Sequence, residues 1–359
     1  MQYKIFDIDS SKEWISYLSR LPELNQDIYF DPRYYKISQK SGCSSAECFV
    51  YSEGNDFILY PYLKRSLKKL SFDHKYQNYF DIEGAYGLNG AASNAEYSKE
   101  RIPFFNNFSN TFKNYCIDNN IIAEFTRFNS LYKNHKYFTH TENVKINESV
   151  IINLSHKNLM KDRYEHSVRK NIKKAERNNL YCTTVKGSEI TEEQLEQFIN
   201  IYEETMLRNQ ASNFFYFDKK FYNNMNHEMG DDILYFFIYK DKKCVSTELV
   251  LKGRKVAYSY LGGTNSEYYV YGANVFLKHN IIKYLKNEGL EYFYLGGGMT
   301  IGDEIFNYKK KFSKNGVIDF FVGKKIHNKN VYNDIMLLWE KNNSDKIEKY
   351  KNILTRYWL

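Results

Sequence analysis

The stretch from Ile233 to Leu295 constrains the fold of this chain most, because its strand and helix patterns follow one another in a definite order. Its strand patterns are three short apolar runs separated by turn residues: Ile233–Lys240, Cys244–Leu251 and Lys255–Leu261. Apolar residues then recur at helical spacing from Gly272 to Asn287, with Lys278, Lys283 and Lys286 off this apolar stripe. An aromatic run, Tyr292–Leu295, follows. The stretch therefore predicts a meander of three strands, a crossover helix and one more strand.

Elements of the same kinds precede this stretch. Thr191 and Gln194 form a capping-box pattern that opens a helix ending near Arg208. The first half of the chain predicts a helix around Trp14, a helix from Phe104 to Tyr115, and four strands: Glu47–Tyr51, Phe57–Leu63, Tyr79–Ile82 and Ile121–Phe128. We therefore predict a mixed α/β fold with two similar lobes, residues 1–150 and 151–325, followed by a helical tail over residues 326–359.

The composition is that of a globular protein and argues against several classes. Hydrophobic residues make up 43% of the 359 residues and charged residues 26%, which is typical of packed domains. No apolar run reaches 18 residues and the N-terminal sequence lacks a signal-peptide pattern, so we expect a cytoplasmic protein without an integral membrane segment. The five cysteines are scattered without CxxC spacing, which predicts neither a disulfide framework nor a metal site.

Basic residues crowd one face of a helix predicted between Lys161 and Arg177. Its apolar stripe consists of Tyr164, Val168, Ile172 and Ala175. Arg169 and Lys173 lie on the opposite, basic face. With the net charge of +8, this face favours a phosphate-bearing partner such as a nucleotide sugar, a CoA or a tRNA. A face that contacts only solvent is the alternative interpretation.

A candidate reacting centre lies near the end of the second predicted lobe. Gly296, Gly297 and Gly298 follow an aromatic strand, and a triple glycine lets the backbone pass close to another group. A simple turn at the end of the strand is the alternative interpretation. Further along, Lys309 lies among aromatic residues, where its ammonium group is suited to stabilise a developing oxyanion or a phosphate. The alternatives are a surface lysine and, for the neighbouring Phe312, a role in the core alone.

Arg208 is a candidate anion-binding residue. It follows the capped helix and precedes an aromatic run, Phe214–Phe217. A guanidinium group can hold a pyrophosphate or a carboxylate through two hydrogen bonds, but it can also cap the carbonyl end of its own helix. The sequence leaves both roles open.

Several enzyme classes are disfavoured by missing motifs. The chain has no nucleophile elbow, no HExxH pattern, no Walker loop and no paired GxGxxG motif. Direct aminolysis of an activated acyl donor needs mainly positioning and charge stabilisation, and it fits a chain without a conspicuous nucleophile.

These segments occur in a recognisable order. They are Tyr79–Ile82 followed by Tyr86-Gly87, Glu124–Phe128, the basic helix with Arg169–Ala175, Tyr202-x-x-Thr205-x-x-Arg208, Gly272-Ala273-Asn274, Tyr294–Gly298 and Tyr308-Lys309-x-x-Phe312. In this order they resemble the Fem family of aminoacyltransferases and related tandem-GNAT acyltransferases, across roughly residues 30 to 325. The long helical arm of many Fem enzymes is absent here.

The resemblance implies two GNAT-like lobes in tandem, with a substrate groove between or beside them, and acyl transfer to an amine on a cell-envelope precursor. It implies that Lys309 and Tyr308 are catalytic, and that Arg208 and Tyr86 contact the substrate. Substrate contacts are also expected from Arg169, Lys173, Gly296, Gly297, Gly298 and Phe312.

The resemblance also bears on the acyl donor. It implies that Gly272, Ala273 and Asn274, at the start of the crossover helix, lie where GNAT enzymes bind the CoA pyrophosphate. The donor is expected to be a co-substrate, aminoacyl-tRNA or acyl-CoA, with no tightly bound cofactor. Expected partners are a phosphate-bearing or envelope-precursor substrate, with tRNA and peripheral contact with the membrane face as further candidates.

Two other functions remain open at this point. The basic helix over residues 161–177, with many aromatic residues in the chain, is compatible with a nucleic-acid-binding protein. A pair of GNAT lobes that binds an envelope precursor without turnover is the other alternative.

Overall fold

The structure, a computed structural model, describes residues 2–39, 43–70 and 74–359. These residues form two compact units. Unit 1 contains the described residues of Met1–Asn25, Tyr29–Ile146 and Phe320–Leu359, and unit 2 contains Gln26–Ile28 and Asn147–Asp319.

Both units contain strands and helices. Up to Asn153 they are β1 (Gln2–Asp7), α1 (Ser11–Leu18), α2 (Pro32–Ser38), β2 (Ser44–Glu53), β3 (Asp56–Ser66), β4 (Phe80–Glu83), β5 (Ala92–Ser93), α3 (Ile102–Asp118), β6 (Ile121–Arg127) and β7 (Glu142–Asn153). They continue with α4 (Leu159–Asp162), α5 (His166–Arg177), β8 (Tyr181–Lys186), α6 (Glu192–Arg208), α7 (Lys219–Met229), β9 (Ile233–Lys240), β10 (Lys243–Lys252) and β11 (Val256–Thr264). The last are α8 (Ala273–Asn287), β12 (Tyr292–Gly296), α9 (Glu304–Lys310), β13 (Val317–Ile326), α10 (Lys329–Asn342) and α11 (Ile347–Tyr350).

In unit 1 a mixed sheet packs against an aromatic helix. Its strands lie in the order β1-β2-β3-β4-β6, with β4 and β6 parallel, and Val322–Ile326 of β13 pairs antiparallel with β6. The aromatic residues of α3 recur every three or four positions, which places them on one face, towards the sheet. Phe112 of α3 contacts Phe49 and Tyr60, with ring centroids 4.9 and 5.0 Å apart. The helix predicted from Phe104 to Tyr115 is confirmed.

In unit 2 the strands lie in the order β7-β12-β11-β10-β9-β8. Strands β9, β10 and β11 form the predicted antiparallel meander, and α8 crosses to β12, which is parallel to β11. The predicted capping box is also confirmed, since Thr191 Oγ1 accepts from the Gln194 amide and Gln194 Oε1 accepts from the Thr191 amide. The local patterns therefore predict this unit closely.

The prediction of one basic helix between Lys161 and Arg177 is wrong in one respect, because the chain forms two helices there, α4 and α5. The interruption is at Tyr164, whose buried ring packs edge-on against Phe312 at 5.5 Å. Glu165 then adopts an extended conformation, and its amide donates to the carbonyl of Lys311. Burial of one aromatic side chain outweighs the helical continuity that the sequence pattern suggests.

The C-terminal segment belongs to unit 1 and is held by a buried carboxylate. Asp81 of β4 is fully buried and accepts two hydrogen bonds from the Arg65 guanidinium, at 2.7 and 2.9 Å. Its Oδ2 also accepts from the Tyr357 hydroxyl and the Trp358 indole, both at 2.7 Å. These bonds fix the end of the chain against β4. No helix in the described ranges combines the length and apolar character needed to span a bilayer.

A second buried carboxylate organises the interior of unit 1. Glu124 of β6 accepts from the Tyr60 hydroxyl at 3.0 Å and from Nε2 of His140 and His327 at 2.9 and 3.1 Å. Burial alone raises the pKa of this carboxyl group, but the charges of and hydrogen bonds from both imidazoles outweigh it and lower the pKa of Glu124 to about 2. Glu124 therefore stays ionised inside the fold.

This network predicts how unit 1 loses stability in acid. Because the pKa of Glu124 is lower in the folded than in the unfolded state, its contribution is present above about pH 4.5 and is lost as the pH falls towards 2. At neutral pH it is on the order of 3 kcal/mol. Fluorescence can follow unit 1 alone, since the three tryptophans, Trp14, Trp339 and Trp358, all lie in it.

We expect the urea midpoint of the native chain to fall steeply between pH 4.5 and 2. In Glu124→Gln we expect a urea midpoint that is lower than that of the native chain at neutral pH and that changes much less between pH 4.5 and 2. Glu13→Gln, at an exposed position of α1, is the matched control and should behave like the native chain. Equal acid sensitivity in the native and Glu124→Gln chains would contradict this role of Glu124.

Candidate active site

The candidate site of unit 2 is built around the end of β12, where three glycines follow one another. Gly296 has a φ of +73°, a left-handed conformation that favours glycine. A side chain at Gly297 would overlap the carbonyl of Glu148 in β7, and one at Gly298 would overlap the carboxylate of Asp303. The close approach that the triple glycine permits is thus to the chain itself. A contact of these glycines with substrate stays a prediction.

Asp303 links this turn to the next helix. Its Oδ1 accepts from the Phe306 amide at 2.8 Å and caps α9, while Oδ2 accepts from the amides of Met299 and Thr300. Burial raises the pKa of this carboxyl group, but these backbone donors outweigh burial and lower the pKa of Asp303. The cap fixes the start of α9 and thereby the direction of its last turn.

Lys309 lies in that last turn and points back to the glycines. Its Nζ donates to the carbonyl oxygen of Gly297 at 2.6 Å. Burial disfavours the charged amine and, with the positive charge of Lys278, lowers the pKa of Lys309 to about 8, although the carboxylates of Glu248 and Asp303 act in the opposite direction. The amine can therefore change charge near physiological pH.

Lys278 and Glu248, two of the charges that act on the pKa of Lys309, form a buried ion pair. Lys278 of α8 donates to both carboxylate oxygens of Glu248 in β10, at 2.5 and 2.6 Å. The Ser259 hydroxyl of β11 donates to Glu248 at 2.7 Å and lies 3.0 Å from the Lys278 amine. The side chains of both charged residues are less than 10% exposed. The sequence-based expectation that Lys278 lies away from the apolar stripe of its helix is therefore wrong.

The side chains of Tyr308 and Phe312, on either side of Lys309 in the sequence, pack in the core of unit 2. The Tyr308 hydroxyl donates to the Asn274 carbonyl at 3.0 Å, and burial raises the pKa of Tyr308 well above its usual value. Its ring packs edge-on against Phe312 at 5.5 Å. Phe312 is fully buried in the unit 2 core, as its alternative interpretation proposed.

The start of α8 adjoins Tyr308 through that hydrogen bond. Gly272 has a φ of +77°, and a side chain there would crowd the carbonyl of Asn171 in α5. Ala273 is buried, and the Asn274 side chain accepts from the Val275 amide at 2.9 Å. The predicted donor-binding residues thus form a helix N-terminus next to the lysine-bearing helix.

Arg208 lies at the end of α6 and reaches the end of β11. Its Nη2 donates to the Thr264 carbonyl at 3.2 Å and to the Tyr269 hydroxyl at 3.0 Å, and the guanidinium carbon lies 5.7 Å from the centre of the Tyr269 ring. Nε and Nη1 make no hydrogen bond to any residue in the described ranges, so three N–H donors are available to a ligand. Tyr86, the other predicted substrate contact, belongs to unit 1, where its carbonyl accepts from the Tyr34 hydroxyl.

The basic residues of α5 line a cavity of about 460 Å³. Its basic side chains, which include Arg169 and Lys173, are Lys161, His166, Arg169, Lys170, Lys173 and Arg177. Arg169 is held in place because its Nη1 donates to the Tyr164 carbonyl at 2.5 Å. None of the Lys and Arg side chains in this set forms an ion pair with a residue that the structure describes. We call this cavity the basic groove.

Residues with metal-ligand spacing occur in unit 1. The potential ligand atoms of Cys116, Glu124 and His327 lie within 4.8 Å of one another. Burial raises the pKa of the Cys116 thiol well above its usual value, and the Glu124 oxygens already accept hydrogen bonds. The group is therefore better explained as a hydrogen-bonded network than as a metal site.

Comparisons with known proteins bear on the fold of this chain. Residues 163–310 match the acetyltransferase (GNAT) domain family. FemX has a TM-score of 0.67 at 12% identity, covering 93% of this chain and 99% of its own. The C-terminal domain of a putative lysylphosphatidylglycerol synthetase from Agrobacterium fabrum has a TM-score of 0.56 at 13% identity, covering 95% and 96%.

A tandem GNAT protein of the clavulanic acid biosynthesis pathway has a TM-score of 0.52 at 6% identity, covering 91% of this chain and 98% of its own. Among curated protein sequences, none matches this chain significantly. At these identities the structural likeness shows the fold. The prediction of a mixed α/β, tandem-GNAT fold of the Fem type is confirmed.

The buried ion pair generates a prediction for unit 2. Glu248→Gln leaves the Lys278 ammonium buried without its counter-charge, and we expect a loss of about 3 kcal/mol. Glu248→Gln with Lys278→Met removes both charges and should recover much of that loss. Hydrogen exchange of amides in β10 and α8 measures the effect. A double variant as unstable as the single one would contradict an ion pair whose partners depend on each other.

Proposed function

We propose that this chain, an acyltransferase, transfers an aminoacyl or small acyl group to an amine on a cell-envelope precursor. The match of residues 163–310 to the acetyltransferase (GNAT) domain family and the tandem-GNAT fold support this activity. The acceptor proposed is the stem peptide of a peptidoglycan precursor or an amino sugar of a surface polysaccharide. The donor proposed is aminoacyl-tRNA or acyl-CoA. The acceptor class is supported by the resemblance to Fem aminoacyltransferases.

The position of Lys309 carries the proposal. One of its three N–H donors is used by the Gly297 carbonyl, and no other residue with described coordinates accepts from the remaining two, which leaves them for a ligand. In direct aminolysis the acceptor nitrogen forms a bond to the acyl carbon, the donor's ester or thioester bond breaks, and the proton of the amine leaves with the departing group or solvent. Negative charge develops on the acyl oxygen in between, and a fixed ammonium group stabilises that charge.

The proposed binding roles follow from donors that are not used within unit 2. Arg208 offers three N–H groups next to the Tyr269 ring, which suits a pyrophosphate or carboxylate. At the N-terminus of α8 the amides of Gly272 and Val275 are already used, by the Tyr269 carbonyl and the Asn274 side chain, so the amides of Ala273 and Asn274 and the positive helix dipole are what it offers to a phosphate. The basic groove adds Lys and Arg side chains that form no ion pair with any residue that the structure describes. Both proposed donors carry several phosphates, so these features fit either one.

The activity test uses the full chain, acetyl-CoA or a mixed pool of aminoacyl-tRNAs as donor, and a nucleotide-linked stem peptide or amino sugar as acceptor. Lys309→Ala should lower kcat by about 100-fold or more. Lys310→Ala, at the exposed neighbouring position, is the matched control and should leave kcat unchanged. Transfer in Lys309→Ala that is as fast as in the native chain would contradict the site assignment. RNA binding by the native chain without any transfer would favour the nucleic-acid-binding alternative.

The same variants predict a pH dependence. Because the pKa of Lys309 is about 8 and the charged form is the active one, kcat should fall as the pH rises through 8. Lys309→Arg keeps its charge at higher pH, so this alkaline fall should disappear even if the rate is lower throughout. An activity that rises through pH 8 and depends on Lys309 would instead assign the amine as a base.

The basic groove gives a separate prediction about binding. Lys170→Ala with Lys173→Ala should raise KM for the phosphate-bearing substrate several-fold and leave kcat nearly unchanged, because these side chains line the groove and not the reacting centre. Lys174→Ala, on the same helix but outside the groove lining, is the matched control. An equal effect of all three substitutions would show general electrostatic attraction and no defined groove.

A further inference from the structure

Three large apolar side chains are exposed close together in unit 2, between the end of β12 and the first turn of α9. Met299 is 74% exposed, Ile301 68% and Ile305 44%. Single exposed apolar residues are common on protein surfaces, whereas a group of them within one short segment marks an interaction site. We call residues 299–305 the apolar turn.

The backbone of the apolar turn is held in one conformation. The Asp303 amide donates to the Thr300 carbonyl at 3.4 Å, and Gly302, which precedes Asp303 in this turn, has a φ of +73°. The Gly302 carbonyl accepts from Nδ2 of Asn307 at 2.8 Å. Ile301 is thereby fixed at the tip of the turn. Because the turn is already ordered, little conformational entropy is lost when a partner covers its side chains.

Lysines follow the apolar turn directly. Lys310, Lys311 and Lys314 are exposed, and none of them forms an ion pair with a residue in the described ranges. The carboxylates of the same segment are that of Asp303, which accepts hydrogen bonds from backbone amides, and that of the exposed Glu304. The partner that fits this surface therefore carries negative charge as well as apolar groups.

The positive charge extends from these lysines to the basic groove. The Lys311 carbonyl accepts from the Glu165 amide at 2.9 Å, and the Lys314 amide donates to the Arg163 carbonyl at 3.4 Å. Arg163 and Glu165 lie between α4 and α5, the helices whose basic residues line the groove. A surface that continues over several elements fits an extended anionic partner better than a small ion.

Three kinds of extended partner cover surfaces of this type: a nucleic acid, a second copy of this chain and an anionic bilayer. Aliphatic side chains have no flat face on which a base can stack, so a nucleic acid leaves them in water. A second copy that pairs through the same patch brings its lysines against those of the first. A bilayer takes up aliphatic side chains among its acyl chains and ammonium groups among its phosphates.

We propose that unit 2 docks onto a bilayer that contains anionic lipids. The apolar turn inserts at the boundary between headgroups and acyl chains, and Lys310, Lys311 and Lys314 contact the phosphates. Because the turn leads directly into α9, docking holds the helix that carries Lys309 next to the bilayer. The proposal does not require acyl transfer, since it rests on exposed side chains outside the reacting centre.

The first test measures sedimentation of the full chain with vesicles of phosphatidylcholine, alone or mixed with phosphatidylglycerol. Met299→Gln with Ile301→Gln should weaken binding to the mixed vesicles by about tenfold or more, because two apolar side chains no longer leave water. Leu337→Gln, at an exposed apolar position of α10 in unit 1, is the matched control and should bind like the native chain. Undiminished binding by the double glutamine variant overturns the proposal.

The same assay tests the charges. Lys310→Ala with Lys311→Ala should weaken binding about fivefold for each charge removed and should reduce its dependence on salt. Glu304→Gln should strengthen binding, because it removes a carboxylate from the lipid-facing surface. Lys341→Ala, exposed on α10, is the matched control and should have no effect. Binding by the native chain that is as tight without phosphatidylglycerol overturns the anionic bilayer as the partner.

Ile301→Trp reports insertion independently of affinity, because the three native tryptophans all lie in unit 1. On vesicle binding the emission of the new indole should move to shorter wavelengths, and lipids brominated in their acyl chains should quench it. An indole that stays in contact with water on bound vesicles overturns the insertion of the turn.

Two further outcomes assign the surface to another partner. A native chain that forms dimers without binding vesicles, and loses them in the double glutamine variant, overturns the proposal in favour of a second copy. RNA binding that is lost in the double lysine variant, with vesicle binding unchanged, overturns it in favour of a nucleic acid.

Discussion

The backbone turn over Gly296–Gly298 is the constraint on which the candidate site depends, because it ends a strand and positions a side chain at once. The middle glycine passes against the backbone of Glu148 and offers its carbonyl to Lys309. The last glycine leaves room for Asp303, which begins the helix that carries this lysine. The same contacts therefore end β12 and position the Lys309 amine. A side chain at Gly297 or Gly298 would displace both the end of the strand and the amine.

The buried ion pair of Glu248 and Lys278 contributes to the electrostatic environment of Lys309. Two opposite charges in a poorly solvated interior cost free energy relative to apolar residues, so a purely structural reason for keeping them is weak. Beside Lys309 the two charges act in opposite directions on its pKa, and burial decides the outcome. An ordinary surface lysine would be charged throughout the physiological range, whereas this one has a pKa of about 8.

Sequence reasoning reached the elements whose signals are local. The meander, the crossover helix that starts after Gly272 and the capping box of Thr191 depend on spacing within a few residues, and each is present as predicted. The burial of Lys278 was missed because its partner is 30 residues away, and a lysine in an amphipathic helix normally marks the solvent side. A polar residue within an apolar strand, as at Glu248, was the signal that could have revealed it. The break at Tyr164 was missed for the same reason, since only a distant ring explains it.

The two units differ in the partners of a buried carboxylate, and the difference supports the proposal that the reacting centre lies in unit 2. In unit 1, Glu124 is bonded to two imidazoles and a phenol in the interior. In unit 2, Glu248 is neutralised by Lys278, and two further cations, Lys309 and Arg208, keep N–H donors that no described residue uses. Unused donors in fixed positions are what a developing negative charge requires.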